Sequence, residues 1–202
     1  MSEHRSKDMI DFDQITTRPA REEDRRFCYE VKRAALRRYV EPIWGWDEQV
    51  QEAFHLNDWQ QQRPSIIALG GRDIGTVEFV KNADHYHLGE FYLFQEFQRQ
   101  GIGTYLMERL MRDADEHALP IKLEVIQINP VRSLYLRCGF AQTGTTKTHY
   151  LMERMPNKRV EATPLKPAET REARSQSCAR HGAPHAYRWC AETGAKNPLA
   201  HT

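Results

Sequence analysis

Seven residues carry the plainest chemical signal in the chain: Gln98-Arg99-Gln100-Gly101-Ile102-Gly103-Thr104. They leave a run of aromatic and apolar residues, 85–94, that reads as a strand. They open a run with helical spacing. Two glycines let the backbone turn and approach a ligand without steric cost. The first N–H groups of the helix that follows have no partner inside it and point outward. The helix dipole adds partial positive charge at that end. Such a turn suits a phosphate or pyrophosphate, and Arg99 adds a full charge at its rim. It is not a Walker loop, because no Gly-Lys-Ser/Thr follows. It is not the dinucleotide fingerprint, because the third glycine is missing and the strand belongs to a meander. A glycine-bearing helix start without any ligand has the same sequence.

Other residues could serve chemistry around that turn. The stretch Tyr39-Val40-Glu41-Pro42-Ile43-Trp44-Gly45-Trp46-Asp47-Glu48 sets two tryptophans around a glycine, flanked by carboxylates. It could wall a site for a cationic amine, or simply pack a helix-helix turn onto a sheet. Glu78 and Glu124 fall on predicted strands and could add negative potential or be plain surface charges. Cys138 reads as a buried helix residue, since no histidine is paired with it in a recognisable way. Cys178, His181, His185 and Cys190 have metal-ligand chemistry, but their spacing fits no zinc module and no strand or helix frames them. No metal is expected.

The elements that must position these residues follow from periodicity. The order is β-α-α-β-β-β-α-β-α-β-β. Strands are expected over 15–17, 65–69, 74–80, 85–94, 121–128, 140–143 and 149–153. Phe27, Val31, Ala34 and Ala35 have helical spacing within 23–40, and Asp47 is a plausible N-cap for a second helix. Ile102, Leu106, Leu110 and Ala114 repeat every four residues, Pro120 follows that helix, and a short helix over 131–138 ends at Gly139. Hairpins followed by βαβ pieces imply a mixed α/β sheet, not a doubly wound one.

Composition bounds the rest. The 202 residues are 40% apolar and 28% charged, enough for one core. A formal charge of +1 argues against a dedicated nucleic-acid binder. No apolar run approaches a membrane span, residues 1–14 show no secretory h-region, and four scattered cysteines fit a reducing cytoplasm. Residues 157–202 hold 8 Lys/Arg against 4 Asp/Glu, leaving 21 against 24 in residues 1–156. With four prolines and few large apolar residues, 157–202 reads as a basic tail, disordered or draped over the domain. A polar leader over 1–13 and one domain over 14–156 complete the division.

Gln98-Arg99-Gln100-Gly101-Ile102-Gly103 resembles the acyl-CoA pyrophosphate signature of the GNAT superfamily of N-acetyltransferases, Gln/Arg-x-x-Gly-x-Gly/Ala. Downstream, Asn129-Pro130-Val131-Arg132-Ser133-Leu134-Tyr135-Leu136-Arg137-Cys138-Gly139-Phe140 is similar to the family's Asn-x-x-x-x-x-Tyr-x-x-x-Gly-Phe segment. The resemblance covers roughly residues 14–155 and the element order matches. It implies the GNAT fold, a mixed, mostly antiparallel sheet split in a V and flanked by helices. It implies acetyl-CoA between the strands ending at Phe94 and Ile128. Backbone N–H groups of Gln100, Gly101, Ile102, Gly103 and Thr104 would hold the pyrophosphate beside Gln98 and Arg99. Backbone groups around Phe91 and Leu93 would pair with the pantetheine arm. Asn129 would bond that arm or position the next helix. Tyr135 would protonate the leaving thiolate, or be a core aromatic.

The base is left open by the resemblance. Eleven residues before Gln98 stands His87, where some members carry Glu or His. Glu90 is next, although it lies on the other face of the strand unless a bulge intervenes; ordered water is the alternative. Tyr39, Trp44, Trp46 and Glu78 are the candidates for the acceptor pocket. The expected activity is direct transfer of an acetyl group to a primary amine of a small molecule or peptide in a ternary complex. The alternative is a non-catalytic acyl-CoA-binding module. Homodimers are common in the family, but no seam is legible.

Overall fold

The computed structural model describes residues 10–157. The basic tail and its Cys178, His181, His185 and Cys190 lie outside the described residues. Seven strands form one sheet in the order β1-β2-β3-β4-β5-β7-β6. They are β1 (Ile15–Pro19), β2 (Ser65–Leu69), β3 (Arg72–Lys81), β4 (Tyr86–Leu93), β5 (Ile121–Ile126), β6 (Ala141–Thr145) and β7 (His149–Arg154). Four helices accompany them: α1 (Arg25–Trp44), α2 (Glu48–Gln61), α3 (Ile102–Glu116) and α4 (Arg132–Arg137). Every expected element is present in the expected order. The helix expected over 23–40 runs four residues further, to Trp44, and ends at Gly45 with φ of 78°. Asp47 caps α2, its Oδ1 accepting the Val50 N–H at 3.0 Å.

All strand pairs are antiparallel except β4 with β5. That parallel pair is short. It covers Tyr86↔Ile121, His87↔Lys122 and Leu88↔Leu123, and then stops. Beyond it β4 continues to Leu93 and β5 to Ile126 without pairing to each other. The sheet is therefore split from Gly89 and Glu124 onward.

A bulge sits at the apex of the split. Phe79 pairs with Leu88 and Val77 with Phe91, two steps on β3 against three on β4. The extra residue lies at Gly89–Glu90 and inverts the alternation. Tyr86 and Leu88, then Phe91 and Leu93, pack on the α3 side. Glu90 joins the face of His87, under α1.

Two cores result. The larger joins β-strand residues such as Ile74, Leu88, Leu123 and Met152 to Ile102, Leu106, Met107 and Ala114 of α3 and Tyr135 of α4. Ile10 and Phe12, inside the stretch read as a polar leader, pack against it. Its far end is stapled by Arg154, which donates to both carboxylate oxygens of Asp115 at 2.8 and 2.9 Å. The smaller core sets Val31, Leu36 and Val40 of α1 on Tyr92 and Ile126.

Charge is also buried under α1. Lys32 Nζ lies 2.9 Å from Asp58 and 3.6 Å from Glu90. Glu90 is 5% exposed, and its second oxygen is buried without a hydrogen-bond partner. Glu78 faces the same cluster from β3. Burial first, and Glu90 second, push its carboxyl up to about 7, while Lys32 pulls the other way. Such a group binds more protons folded than unfolded. Its contribution favours folding below about 4.5 and is lost as pH rises through about 7. Glu78→Gln should therefore change stability little near pH 4.5 and raise it above pH 7, by up to about 3 kcal/mol. Urea melts of both proteins at pH 5 and pH 8 check this. A gap of equal size at both pH values would remove burial of the charge as its cause.

Candidate active site

The split opens a cleft of about 500 Å³ that passes between β4 and β5. Gly89, Phe91, Tyr92 and Leu93 form one wall; Glu124, Val125 and Ile126 form the other. Ala35, Leu36, Arg38 and Tyr39 of α1 close it on one face, and Leu134 and Tyr135 of α4 on the opposite one. The volume lies in the range of small-ligand sites.

The glycine turn stands at the open end. Gln98 ties it to the strand by donating from Nε2 to the Leu93 carbonyl at 2.7 Å, and Gln100 donates to the Glu96 carbonyl. Arg99 and Gly101 both have positive φ, 59° and 87°. Gly101 is the left-handed N-cap of α3, a conformation that a side chain resists. Space is tight as well: a Cβ there would meet Phe12 Cζ at 3.0 Å, so the ring would have to give way. The Phe12 ring in turn stacks on Tyr105, with centroids 5.1 Å apart and planes at 17°. Gly103 faces the cleft between Leu134 and Phe91; a Cβ there would have 3.5 and 4.0 Å to them, so larger side chains would fill the cleft. Gln98, Arg99, Gly101, Gly103 and Thr104 line the cleft. Ile102 is fully buried in the larger core, so it has only its backbone to offer.

Asn129 also lines the cleft, and its Oδ1 accepts the Val131 N–H at 3.0 Å. It thus fixes the entry to α4. The helix carries Tyr135 into the wall, 6% exposed, its ring 5.7 Å from that of Phe140. Cys138, one turn on, does not line the cleft, and burial pushes its thiol up, away from the reactive thiolate.

The two expected bases are not brought to the cleft wall. The bulge does put Glu90 on the face of His87, but Glu90 is sunk against Lys32. His87 Cδ2 lies 3.6 Å from where a Cβ on Gly89 would stand, also on the α1 side. Glu78 reaches across the same glycine, its Oε1 standing where that Cβ would be, and faces the buried cluster. Of the expected acceptor-pocket residues only Tyr39 lines the cleft. Trp46 is turned away to donate from Nε1 to Glu48 at 2.8 Å, and its cation is Arg37, 5.8 Å from the ring centroid. Trp44 stacks on His149 at 6.0 Å. Glu48 also accepts from Tyr29 and Arg33, so the carboxylates of this loop are occupied by structure.

The carboxylate that does line the cleft is Glu124, half-buried, opposite Gly89 at the apex. Burial pushes its carboxyl up. Strand alternation on a sheet covered on both faces was the available signal, since an acidic residue between Leu123 and Val125 must face a cavity, a partner or solvent.

Comparison with known proteins bears on the fold and the family. Residues 30–140 match the family described as the acetyltransferase (GNAT) family. No curated protein matches the chain. Among solved structures, a PaiA N-acetyltransferase from Thermoplasma acidophilum in complex with coenzyme A is similar at 23% identity. It covers 70% of this chain and 98% of its own, with a TM-score of 0.56. The ribosomal-protein-S18-alanine N-acetyltransferase from Escherichia coli is similar at 18% identity, over 75% of this chain and 99% of its own, with a TM-score of 0.54. PH1933 from Pyrococcus horikoshii OT3 is 17% identical, over 71% and 99%, with a TM-score of 0.59. At these identities the structures speak for the fold, and the family match spans more than half of the chain: the protein belongs to the acetyltransferase (GNAT) family.

Proposed function

We propose that this protein is an N-acetyltransferase that transfers the acetyl group of acetyl-CoA directly to a primary amine. One observation carries this most: a single cleft joins an anion-suited turn at its open end to Tyr135 and Glu124 on its walls. The turn suits the pyrophosphate through backbone N–H groups at 101–104. The inner edge of β4, without a strand partner past Leu88, suits the amide-bearing pantetheine arm as an added strand.

Acetyl-CoA supplies a thioester whose C–S bond breaks as the amine nitrogen forms its bond to the carbonyl carbon. Glu124 takes the proton that the attacking ammonium must lose. A carboxyl raised by burial is a stronger base than one in water, and so better matched to neutral pH. Tyr135 gives a proton to the departing thiolate, since a phenol near pKa 10 is matched to a thiol. We assign the base to Glu124 rather than to His87 or Glu90 because it shares the cleft with Tyr135. The raised Cys138 thiol supports direct transfer over an acyl-cysteine step. Among the described residues no helix is long and apolar enough to cross a membrane. A cytoplasmic site of action, with no nucleic-acid partner, and a homodimeric state belong to the same proposal.

Three outcomes are expected. Acetyl-CoA at 100 times its dissociation constant should stabilise the protein by about 2.7 kcal/mol, and ATP should do much less; no shift in a thermal melt would favour a degenerate fold over an enzyme. Tyr135→Phe should lower kcat by about tenfold or more while sparing acetyl-CoA affinity, as read by CoA release and by calorimetry. Glu124→Gln should lower kcat/KM by about 100-fold and erase the acid limb of its pH profile. Retention of that limb would move the base elsewhere.

A further inference from the structure

Helix α1 carries six cationic side chains, and five of them are spoken for. Arg25 pairs with Glu22 at 3.7 Å, Arg26 with Glu30 at 2.8 Å and Lys32 with Asp58 at 2.9 Å. Arg33 pairs with Glu48 at 3.2 Å and Arg37 with Glu41 at 3.1 Å. The sixth, Arg38, makes no ion pair among the described residues. It is also the one that lines the cleft. Its guanidinium rests over the ring of Tyr39, 4.6 Å from the centroid, and Tyr39 lines the cleft beside it.

A cation that its own helix leaves without a carboxylate, held at the wall of a ligand cleft, is suited to an anion brought by a ligand. Two sources are available, the phosphates of the cofactor and the acceptor. The position on the sheet decides between them. The glycine turn and α4, with Arg99 and Arg137 already lining the cleft there, belong to the α3 side. Arg38 stands on α1, which covers the opposite face. Glu124 is on that face too. It alternates with Leu123 and Val125 of the larger core, and Ile126, two residues on, packs under α1. The α1 side of the cleft thus presents one exposed cation, Arg38, and one half-buried carboxylate, Glu124.

We infer that the acceptor is an amine that also carries an anionic group, and that Arg38 binds that group while Glu124 receives the amine. The inference rests on the acetyltransferase reading and narrows its substrate class to amino-acid-like acceptors. A guanidinium binds a carboxylate through two parallel N–H···O bonds, which gives the acceptor a fixed direction as well as charge. Lysine supplies the charge without the fork.

The test uses matched pairs: α-amino acids and N-terminally free dipeptides, each as free acid and as C-terminal amide. Turnover is read as CoA release, and binding as the thermal shift of the CoA-loaded protein. Wild type should prefer the acids by about tenfold or more in kcat/KM. Arg38→Ala should abolish that preference by raising KM for the acids, with the dissociation constant of acetyl-CoA unchanged. Arg38→Lys should keep part of the preference, and Arg38→Glu should turn it toward the amides. Equal use of acids and amides by wild type overturns the inference. So does a weaker acetyl-CoA complex in Arg38→Ala with the acid preference intact, which would give Arg38 to the cofactor's phosphates. If nothing in the panel is acetylated, the narrowed substrate class fails, while the acetyltransferase reading stands or falls on its acetyl-CoA shift. The binding arm then still decides the role of Arg38: no acid-over-amide preference in the CoA-loaded protein overturns it.

Discussion

Backbone pairing between β4 and β5 ends after Leu88 and Leu123, and the architecture is arranged around that gap. A parallel pair that ran to Leu93 and Ile126 would leave no cleft. The bulge at Gly89–Glu90 bends β4 at the point where pairing ends, as bulges do. Past the gap, the inner edges of β4 and β5 have N–H and C=O groups that lack a partner across it. Such groups are costly when buried dry. Helices on both faces cover the gap without closing it, and buried clusters lie on each side of the sheet.

The same gap sorts the charges. The α3 side presents backbone N–H groups at a helix start and the side chains of Arg99 and Arg137. The α1 side holds carboxyl groups in or near the sheet, Glu78, Glu90 and Glu124, and burial raises all three. Lys32 partly balances the first two, while Asp58 adds to the negative charge beside them. A thioester in the gap would therefore lie between a pole suited to phosphate and a pole suited to protons.

Much of this was legible in the chain because it is local. The glycine turn, the cap at Asp47, the stripe of α3 and the helix within the Asn129-to-Phe140 segment are each read within a dozen residues, and each stands where expected. What was not legible depends on lateral neighbours. His87 and Glu90 sit on the right strand, but the depth of Glu90 is set by Lys32 and Asp58 from two different helices. Trp46 looks like a ligand wall in sequence. Glu48, two residues on, has already claimed its indole N–H. Glu124 looks like a surface charge until the missing pairing of β4 and β5 exposes it to a cavity. Ile10 and Phe12 read as part of a leader because two apolar residues among polar ones show no period, yet they complete the larger core.

Phe12 gives the turn at Gly101 a history. The ring lies behind the left-handed glycine and stacks on Tyr105, one turn into α3. The loop is thereby gripped by a ring that does not line the cleft. Association normally costs the ordering of whatever segment must take shape around the ligand. Here that ordering is completed during folding, by an aromatic contact made from residues more than eighty positions upstream. The shape of this turn is therefore partly a property of how the N-terminal segment folds, and any ligand that uses the turn would depend on Phe12 without touching it.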